Sequence, residues 1–299
     1  MSRVRDMEKL ISALLEFYIP LIVAVVYKLF YKPPDRTSRD LSKLVLYFFL
    51  PILLFNSVSG KNLLDLAGTF IIMIAASALT ITVSLVSALI LFKGDLEIVL
   101  PSFYVNAAYL PLPIAMSLWG EASIHLIGFY VLFNATTGNL LAPFLLGRDI
   151  KEGVKRIVRY PPLYGITLGF LCSLMGFRLP PYLAEPLYTT GSLAPPLALV
   201  VIGLQTEKTG NLLDGSVMKL SVIRFFISPL ATYLALPFIV SPESLAFKVA
   251  LLESFMPPAV TNVILANEFL EKSDRIVRIV LETTIISTLF IPAFLLLMK

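Results

Sequence analysis

Long apolar runs, separated by short charged or turn-forming clusters, extend along the whole chain. A helix needs roughly 20 apolar residues to cross the hydrocarbon core of a bilayer, and most of the runs reach that length. The pattern therefore predicts an all-α membrane protein with about ten transmembrane helices. The predicted helices are 9–31, 41–60, 66–92, 97–119, 122–146, 160–177, 183–205, 217–240, 243–268 and 275–298.

The composition agrees with this pattern. Of the 299 residues, 57% are hydrophobic and 15% are charged, and the mean hydropathy is +0.85. Ten crossings leave no room for a sizeable soluble domain, so residues 1–299 are expected to form a single transmembrane domain in contact with lipid. The net charge of +4 does not indicate a nucleic-acid partner, because the basic residues cluster between the apolar runs.

The basic residues predict an orientation. Of the 24 Lys and Arg residues, sixteen fall in the loops of one side and seven on the side that holds both termini, with Arg224 set aside inside a helix. Loops rich in Lys and Arg remain cytoplasmic. We therefore expect a multi-pass protein of the cell membrane, with both termini outside and the loop 148–159 inside.

The two halves of the chain resemble each other. LPILLFNSVSGKN in helix two matches PPLALVVIGLQTEK in helix seven, and PLPIAMSLWG in helix four matches MPPAVTNVILAN in helix nine. Pro51 and Pro113 are 62 residues apart, as are Pro196 and Pro258. Five helices per half is an odd number, which predicts inverted repeats of the kind found in secondary transporters. The repeats would cover about 9–147 and 160–299, joined by the linker 148–159.

Prolines interrupt helices four and nine. They are Pro101, Pro111, Pro113, Pro257 and Pro258. An interior proline removes an amide donor and clashes with the preceding turn, and non-helical backbone at membrane depth must be satisfied by protein or by a water-filled cavity. The two helices are predicted to break near 110–113 and 257–258 and to cross at the midplane. The alternative is that the prolines only kink packed helices.

Such a crossing would present helix N-termini, which attract anions, and helix C-termini, which suit cations. Asn106 and Asn262 flank the two breaks, and their amides could donate to a carboxylate. The predicted substrate-binding residues are Asn106, Leu110, Pro111, Pro113, Pro257, Pro258 and Asn262.

Glu253 lies four residues before Pro257, where an unpaired carboxylate would be costly. It is either a coupling group for Na⁺ or H⁺ or a structural partner in a polar network, and Asn134 and Thr137 on helix five are further ion-coupling candidates. For Arg224 and Glu282, an intramembrane ion pair and snorkelling to the surface are both open.

With LPILLF of helix two, the stretch from Asn106 to Pro113 and MPPAVTNVILANEF of helix nine, the chain resembles the auxin efflux carrier family. This resemblance implies two inverted five-helix repeats whose helices four and nine cross at prolines, and it implies that Asn106 contacts the substrate. The architecture is more distantly similar to sodium-coupled bile acid transporters, which implies a sodium-site role for Glu253.

The chain departs from the plant carriers at several positions. Leu54 stands where they have a serine, no Asp or Lys occurs between Leu66 and Phe92, and only about 13 residues follow Leu146 where the large plant carriers have a long loop. The chain thus resembles a compact prokaryotic member, which implies malate, malonate or related carboxylates as substrates.

Other functions are weighed against this one. An intramembrane enzyme would need paired carboxylates, a histidine-based metal site or a Ser with a base, whereas the only histidine, His125, is predicted near the surface. No catalytic residue, metal or cofactor is expected beyond a coupling Na⁺ or H⁺. A sodium-coupled symporter and a passive anion channel stay open as alternatives, as does a homodimer.

Overall fold

The computed structural model describes residues 2–34, 36–93, 95–205, 214–270 and 274–297. In these ranges the chain forms sixteen α-helices and no β-strand. The first eight are α1 (Ser2–Tyr31), α2 (Arg36–Leu44), α3 (Leu50–Val58), α4 (Leu63–Leu91), α5 (Leu96–Phe103), α6 (Pro111–Trp119), α7 (Ala122–Leu145) and α8 (Ile150–Val158). The others are α9 (Pro161–Leu174), α10 (Pro181–Gly191), α11 (Ala194–Gln205), α12 (Gly215–Val222), α13 (Ser228–Ala235), α14 (Leu245–Ser254), α15 (Thr261–Phe269) and α16 (Asp274–Leu297).

Two π-helical turns join consecutive helices. Val45–Phe49 connects α2 to α3, and Ile223–Ile227 connects α12 to α13. Each turn is followed by a helix that carries proline in its first turn, Pro51 in α3 and Pro229 in α13. A proline without an amide donor breaks the regular ladder of hydrogen bonds, and a π turn is one way for a long helix to continue past it.

Seven helical stretches among the described residues are long and apolar enough to cross a membrane. They are Leu14–Tyr31, Arg36–Val58, Leu63–Leu91, Ala122–Leu145, Pro181–Gln205, Gly215–Phe238 and Arg275–Leu295. The chain is an all-α membrane protein, as predicted. The count of ten crossings stays a prediction, because the predicted helices four and nine are each divided into two short helices and α9 has only 14 residues.

The predicted helix seven differs from the observed one. Instead of one helix over 183–205, α10 ends at Gly191 and α11 begins at Ala194. Pro195 and Pro196 then fall in the first turn of α11, where the missing amide donors need no partner within the helix.

The chain divides into two compact units. Unit 1 comprises Met1–Ile71, Ala108–Phe129 and Tyr160–Thr206, and unit 2 comprises Ile72–Ala107, Tyr130–Arg159 and Glu207–Lys299. The units are interleaved along the sequence and do not coincide with the predicted repeats. The single transmembrane domain and its repeat boundaries stay predictions.

Several residues used to predict the orientation lie outside the described part of the chain. They are the side chains of Arg3, Arg5 and Lys9, and the residues Lys208, Lys272 and Lys299. The orientation of the termini and of the loop 148–159 stays a prediction.

Unit 1 is held together by close helix contacts. α3 packs against both α9 and α10, and α1 packs against α11. A Cβ atom at Gly165 of α9 would overlap the carbonyl oxygen of Pro51, and one at Gly191 would meet the backbone nitrogen of Leu53 at 2.7 Å. Glycine is required at these two positions because the backbones themselves touch.

Candidate functional site

The predicted helix four is interrupted within unit 2. α5 ends at Phe103, and the next seven residues of the chain, 104–110, run outside a regular helix. Had the helix continued, the carbonyl groups of Phe103 and Tyr104 would have accepted the amides of residues 107 and 108. The interruption leaves both carbonyls in need of other donors, since buried backbone polar groups must be paired.

The predicted helix nine is interrupted in the same unit. α14 ends at Ser254, and α15 begins at Thr261. Pro257 and Pro258 explain the end of α14, because neither residue has an amide to donate to the carbonyl four residues earlier. The carbonyl of Ser254, which the amide of residue 258 would have bonded, is thereby left without its helical partner.

The two interrupted stretches are paired with each other. The Asn106 amide donates to the Pro257 carbonyl at 2.8 Å, and the Ala259 amide donates to the Tyr104 carbonyl at 2.9 Å. Val105 and Pro258 form an antiparallel bridge between these bonds. The predicted crossing of the two broken helices is therefore present in unit 2, and its contact runs through residues 104–106 and 257–259. We refer to these residues as the crossing.

Asparagine side chains satisfy the remaining backbone groups of the crossing. Asn134 of α7 accepts from the Val105 amide at 3.1 Å and donates to the Phe103 carbonyl at 2.9 Å. Asn262 of α15 donates to the Tyr104 and Ala259 carbonyls, each at 2.8 Å. Both asparagines are fully buried, so these bonds replace water that cannot reach the breaks.

The predicted site residues do not all fall in one unit. Asn106, Asn134, Thr137, Glu253, Pro257, Pro258 and Asn262 belong to unit 2. Leu110, Pro111 and Pro113 belong to unit 1. Thr137 is half-buried on α7, three residues after Asn134, and therefore on the same face of that helix.

The position of the first break was predicted wrongly. Pro111 and Pro113 do not lie in the break but in the first turn of α6, and Leu110 is its N-cap residue. A proline at the start of a helix removes only an amide that has no helical partner, so these prolines begin a helix instead of interrupting one.

Glu253 is fully buried at the end of α14. Neither of its carboxylate oxygens has a hydrogen-bond partner among the described residues. Its charge interacts with that of Arg224, and the buried Tyr130 interacts with both side chains. The carboxylate thus lies beside the second break, as the sequence indicates, without the protein partners that a purely structural role would give it.

Two alternatives were predicted for Arg224, an ion pair with Glu282 and snorkelling to the surface, and both were wrong. Its side chain is fully buried, so it does not snorkel, and its hydrogen bonds go to backbone and serine oxygens of unit 2. Glu282 instead accepts from Arg278, four residues away on the same helix, at 3.1 Å. An arginine in an apolar helix was visible in the sequence, but its partners come from distant segments that no local pattern connects.

Two residues that hold the first break, Tyr104 and Asn139, were not among the predicted site residues. The Asn139 amide donates to the Tyr104 hydroxyl at 2.9 Å, and Gly138 lies against the Tyr104 ring, where a Cβ atom would overlap it. The tyrosine at the first break is therefore held by two consecutive residues of α7. Asn139 is a further polar residue on the predicted helix that carries Asn134 and Thr137, but its partner Tyr104 lies 35 residues away and could not be inferred from that helix.

Comparison with known proteins places this geometry in context. A family model described as "Membrane transport protein" matches residues 18–145 and 148–295. An uncharacterized transporter of Methanocaldococcus jannaschii is 24% identical over 266 residues, which cover 83% of this chain and 85% of that protein. An uncharacterized transporter of Methanothermobacter thermautotrophicus is 23% identical over 272 residues, covering 86% and 88%.

Proposed function

Since the chain belongs to the membrane transport protein family, that of the auxin efflux carriers, we propose that it is a secondary transporter of a small organic anion. The substrate would be a carboxylate or dicarboxylate, carried across the cell membrane by alternating access. The observation that carries this proposal is the crossing of two interrupted helices in unit 2, stabilised by Asn134 and Asn262.

Interrupted helices suit the binding of a small anion. They expose backbone groups and helix ends inside the membrane, where a charged ligand otherwise finds no partner. In this proposal the Asn106 side chain, which is 5% exposed, donates to the substrate carboxylate. A neutral amide holds an anion without the fixed charge that would slow its release.

Counterflow in proteoliposomes tests the proposal. Vesicles loaded with an unlabelled dicarboxylate should take up the labelled compound faster than empty vesicles, because a carrier exchanges substrate across the membrane. Equal uptake by loaded and empty vesicles would favour a passive anion channel. No uptake of any tested mono- or dicarboxylate, in protein that remains folded, would contradict the proposed substrate class.

Coupling to an ion is a second part of the proposal. Glu253 is buried beside the break, and no described residue satisfies its oxygens, which supports a role in binding Na⁺ or H⁺. Glu253→Gln keeps the shape of the side chain and removes its charge. Transport by this variant should lose its dependence on Na⁺ or pH; an unchanged dependence would leave Glu253 with a structural role.

The orientation has its own test. Cys172 is the only cysteine of the chain, so a Cys172→Ser protein provides a background for single-cysteine labelling. In the proposed orientation, Lys151→Cys should react with a membrane-impermeant reagent only after the cells are permeabilised. Labelling in intact cells would reverse the orientation.

A further inference from the structure

Arg224 is the largest fully buried side chain of the described part of the chain. It lies in the π-helical turn Ile223–Ile227, within the membrane-spanning stretch Gly215–Phe238. A guanidinium removed from water in this way is very costly unless its charge and its N–H groups are satisfied by the protein. The hydrogen-bond partners of Arg224 therefore indicate which kind of charged group this part of unit 2 binds.

Those partners are all oxygen atoms. Nε donates to the Met256 carbonyl at 2.8 Å, and Nη2 donates to the Ser254 carbonyl at 2.9 Å. Nη1 donates to the Ser84 hydroxyl at 2.8 Å and the Ser228 hydroxyl at 3.3 Å, and it lies 3.5 Å from the Ser102 carbonyl. We refer to these five oxygens as the oxygen shell.

The oxygen shell has the chemistry of a metal-cation site. Carbonyl and hydroxyl oxygens are the ligands of hard cations, and in transporters with broken helices the C-terminal ends of the half-helices coordinate the coupling ion. Ser254 is the last residue of α14 and Met256 follows it in the break, so their carbonyls are of this kind. Pro258 has no amide to bond the Ser254 carbonyl, which leaves it available.

A carboxylate lies next to this shell. Glu253 is fully buried, and its interaction with Arg224 is one of charge, because its oxygens have no hydrogen-bond partner among the described residues. The shell thus combines five neutral oxygens with one adjacent acid. Oxygen acceptors beside one acid favour the binding of a single positive charge, and the Arg224 guanidinium carries that charge.

We propose that the Arg224 guanidinium is a built-in cation that permanently occupies a cation site, formed by two carbonyls at the break of helix nine and by three serines of α4, α5 and α13. A sodium ion in the same shell would compete with a covalently attached charge for the same oxygens and would be repelled by it at low dielectric. Transport is therefore independent of Na⁺ at this site. This inference rests on the proposed transport function. It leaves H⁺, and not Na⁺, as the coupling ion that Glu253 would bind.

The first test uses the unmodified protein. Initial rates of substrate uptake in proteoliposomes should agree within about twofold when NaCl is replaced by KCl or choline chloride at constant ionic strength, since Arg224 closes the oxygen shell to Na⁺. Uptake that requires Na⁺ would overturn the inference but not the proposed function. Absence of any uptake would contradict the proposed function. The role of Arg224 as a built-in cation would then be tested by the second experiment, which does not depend on transport.

The second test needs no substrate. Arg224→Ala leaves the shell and Glu253 without their cation, and guanidinium chloride at low millimolar concentration should raise the melting temperature of this variant, because a ligand that binds only the native state stabilises it. The same salt should not raise the melting temperature of the unmodified protein or of Arg275→Ala, which removes an exposed arginine paired with Asp95. Equal responses of all three proteins would overturn the inference.

A milder variant covers the case in which Arg224→Ala does not fold. Arg224→Lys keeps the positive charge on a flexible stem but lacks the planar fork that reaches several oxygens at once. It should fold with a lower melting temperature and retain transport that is independent of Na⁺. Arg224→Gln, which has similar length and no charge, should lose at least about tenfold in rate as a buried charge pair is broken. Equal rates for Lys and Gln would show that the charge at this position is not used.

Discussion

Two regions of the molecule bring backbone segments into direct contact by opposite means. In unit 1, α3 meets α9 and α10 through glycines that let the backbones touch, and one hydrogen bond, from the Ser173 hydroxyl to the Val58 carbonyl at 2.8 Å, joins α9 to α3. In unit 2, the crossing is held by backbone hydrogen bonds and by the amides of Asn134 and Asn262. Regular helices need only space between them, whereas broken helices need donors and acceptors.

The comparison separates a supporting role from a chemical one. The Ser173 hydroxyl between α9 and α3 is already bonded to the Val58 carbonyl and the Lys61 amide, so we assign the contact of α3 with α9 and α10 to structure alone. A crossing whose backbone is satisfied by side chains can hold other polar groups beside it, and the buried Glu253 and Arg224 are found there. Stability should therefore respond to lost polar groups in unit 2 and to added volume in unit 1.

The largest effect is expected for Asn134→Ala. It leaves the Val105 amide and the Phe103 carbonyl buried without their partner, at about 1–3 kcal/mol each, or about 2–6 kcal/mol of unfolding free energy. Asn56→Ala is the matched control, since the Asn56 amide bonds only a carbonyl of its own helix. Thermal unfolding in detergent measures both, and similar losses would mean that the crossing does not depend on Asn134.

Gly165→Ala should cost less, about 1–3 kcal/mol, the usual range for overpacking. Its methyl group would overlap the Pro51 carbonyl, a backbone atom that cannot rotate away. Gly68→Ala on α4 is the control, because a Cβ atom there meets nothing within 4 Å. That substitution should be neutral or slightly stabilising. If the two variants melt together, the close contact of α9 with α3 is not a constraint.

The positions of the helices could be predicted from the sequence with some accuracy. The run predicted as 122–146 forms α7 from Ala122 to Leu145, and both interrupted helices were identified from their prolines. Apolar length and missing amide donors are local properties, and they suffice for this. The predicted break at Pro111 was wrong, because a proline that breaks a helix and one that begins a helix cannot be distinguished by sequence until the cap is known.

The candidate site was only partly predictable for a different reason. Glu253 and Asn262 were selected because each lies beside Pro257 and Pro258 in the sequence. The pairing of Arg224 with Ser84 and Met256 joins segments 140 and 32 residues apart. Contacts of that separation are determined by packing, and hydropathy contains no information on them.

Asp214 is the N-cap of α12. Asp214→Ala should lower the free energy of unfolding by about 1 kcal/mol, the typical cost of replacing a cap by Ala. Its carboxylate accepts from the Ser216 amide at 2.9 Å, and this bond, aided by Arg278, lowers the pKa of Asp214 below 3.8. A lowered pKa in the folded state gives stability that is present near neutral pH and is lost as the pH falls through that pKa.

The pH dependence can be separated from the cap itself. Asp214→Asn retains an acceptor for the Ser216 amide but does not titrate, so it should match the unmodified protein more closely at low pH than at neutral pH. Melting temperatures of the two proteins from neutral pH to below about 4 test this. A difference that does not narrow with falling pH would contradict the assignment.

The smallest effect is expected for the pair of Asp95 and Arg275. The two side chains approach to 2.6 Å, yet they are 30% and 52% exposed, and exposed pairs contribute about 0.2–1 kcal/mol. Asp95→Asn should lower the melting temperature slightly at low salt and less at high salt, because salt screens exposed charges. A loss as large as that of Asn134→Ala would mean that the ion pair, and not the amides, maintains unit 2.

Substrate affinity at the crossing tests the central proposal most directly. The measurement is the dissociation constant of the best-bound dicarboxylate, by calorimetry on purified protein, for the unmodified chain, Asn106→Ala and Asn56→Ala. Loss of one hydrogen bond to a charged group should weaken binding to Asn106→Ala by about 1 to 3 kcal/mol, or about 5- to 150-fold. Asn56→Ala should bind as the unmodified protein does. Unchanged affinity of a folded Asn106→Ala protein would contradict the assignment of the substrate site to the crossing.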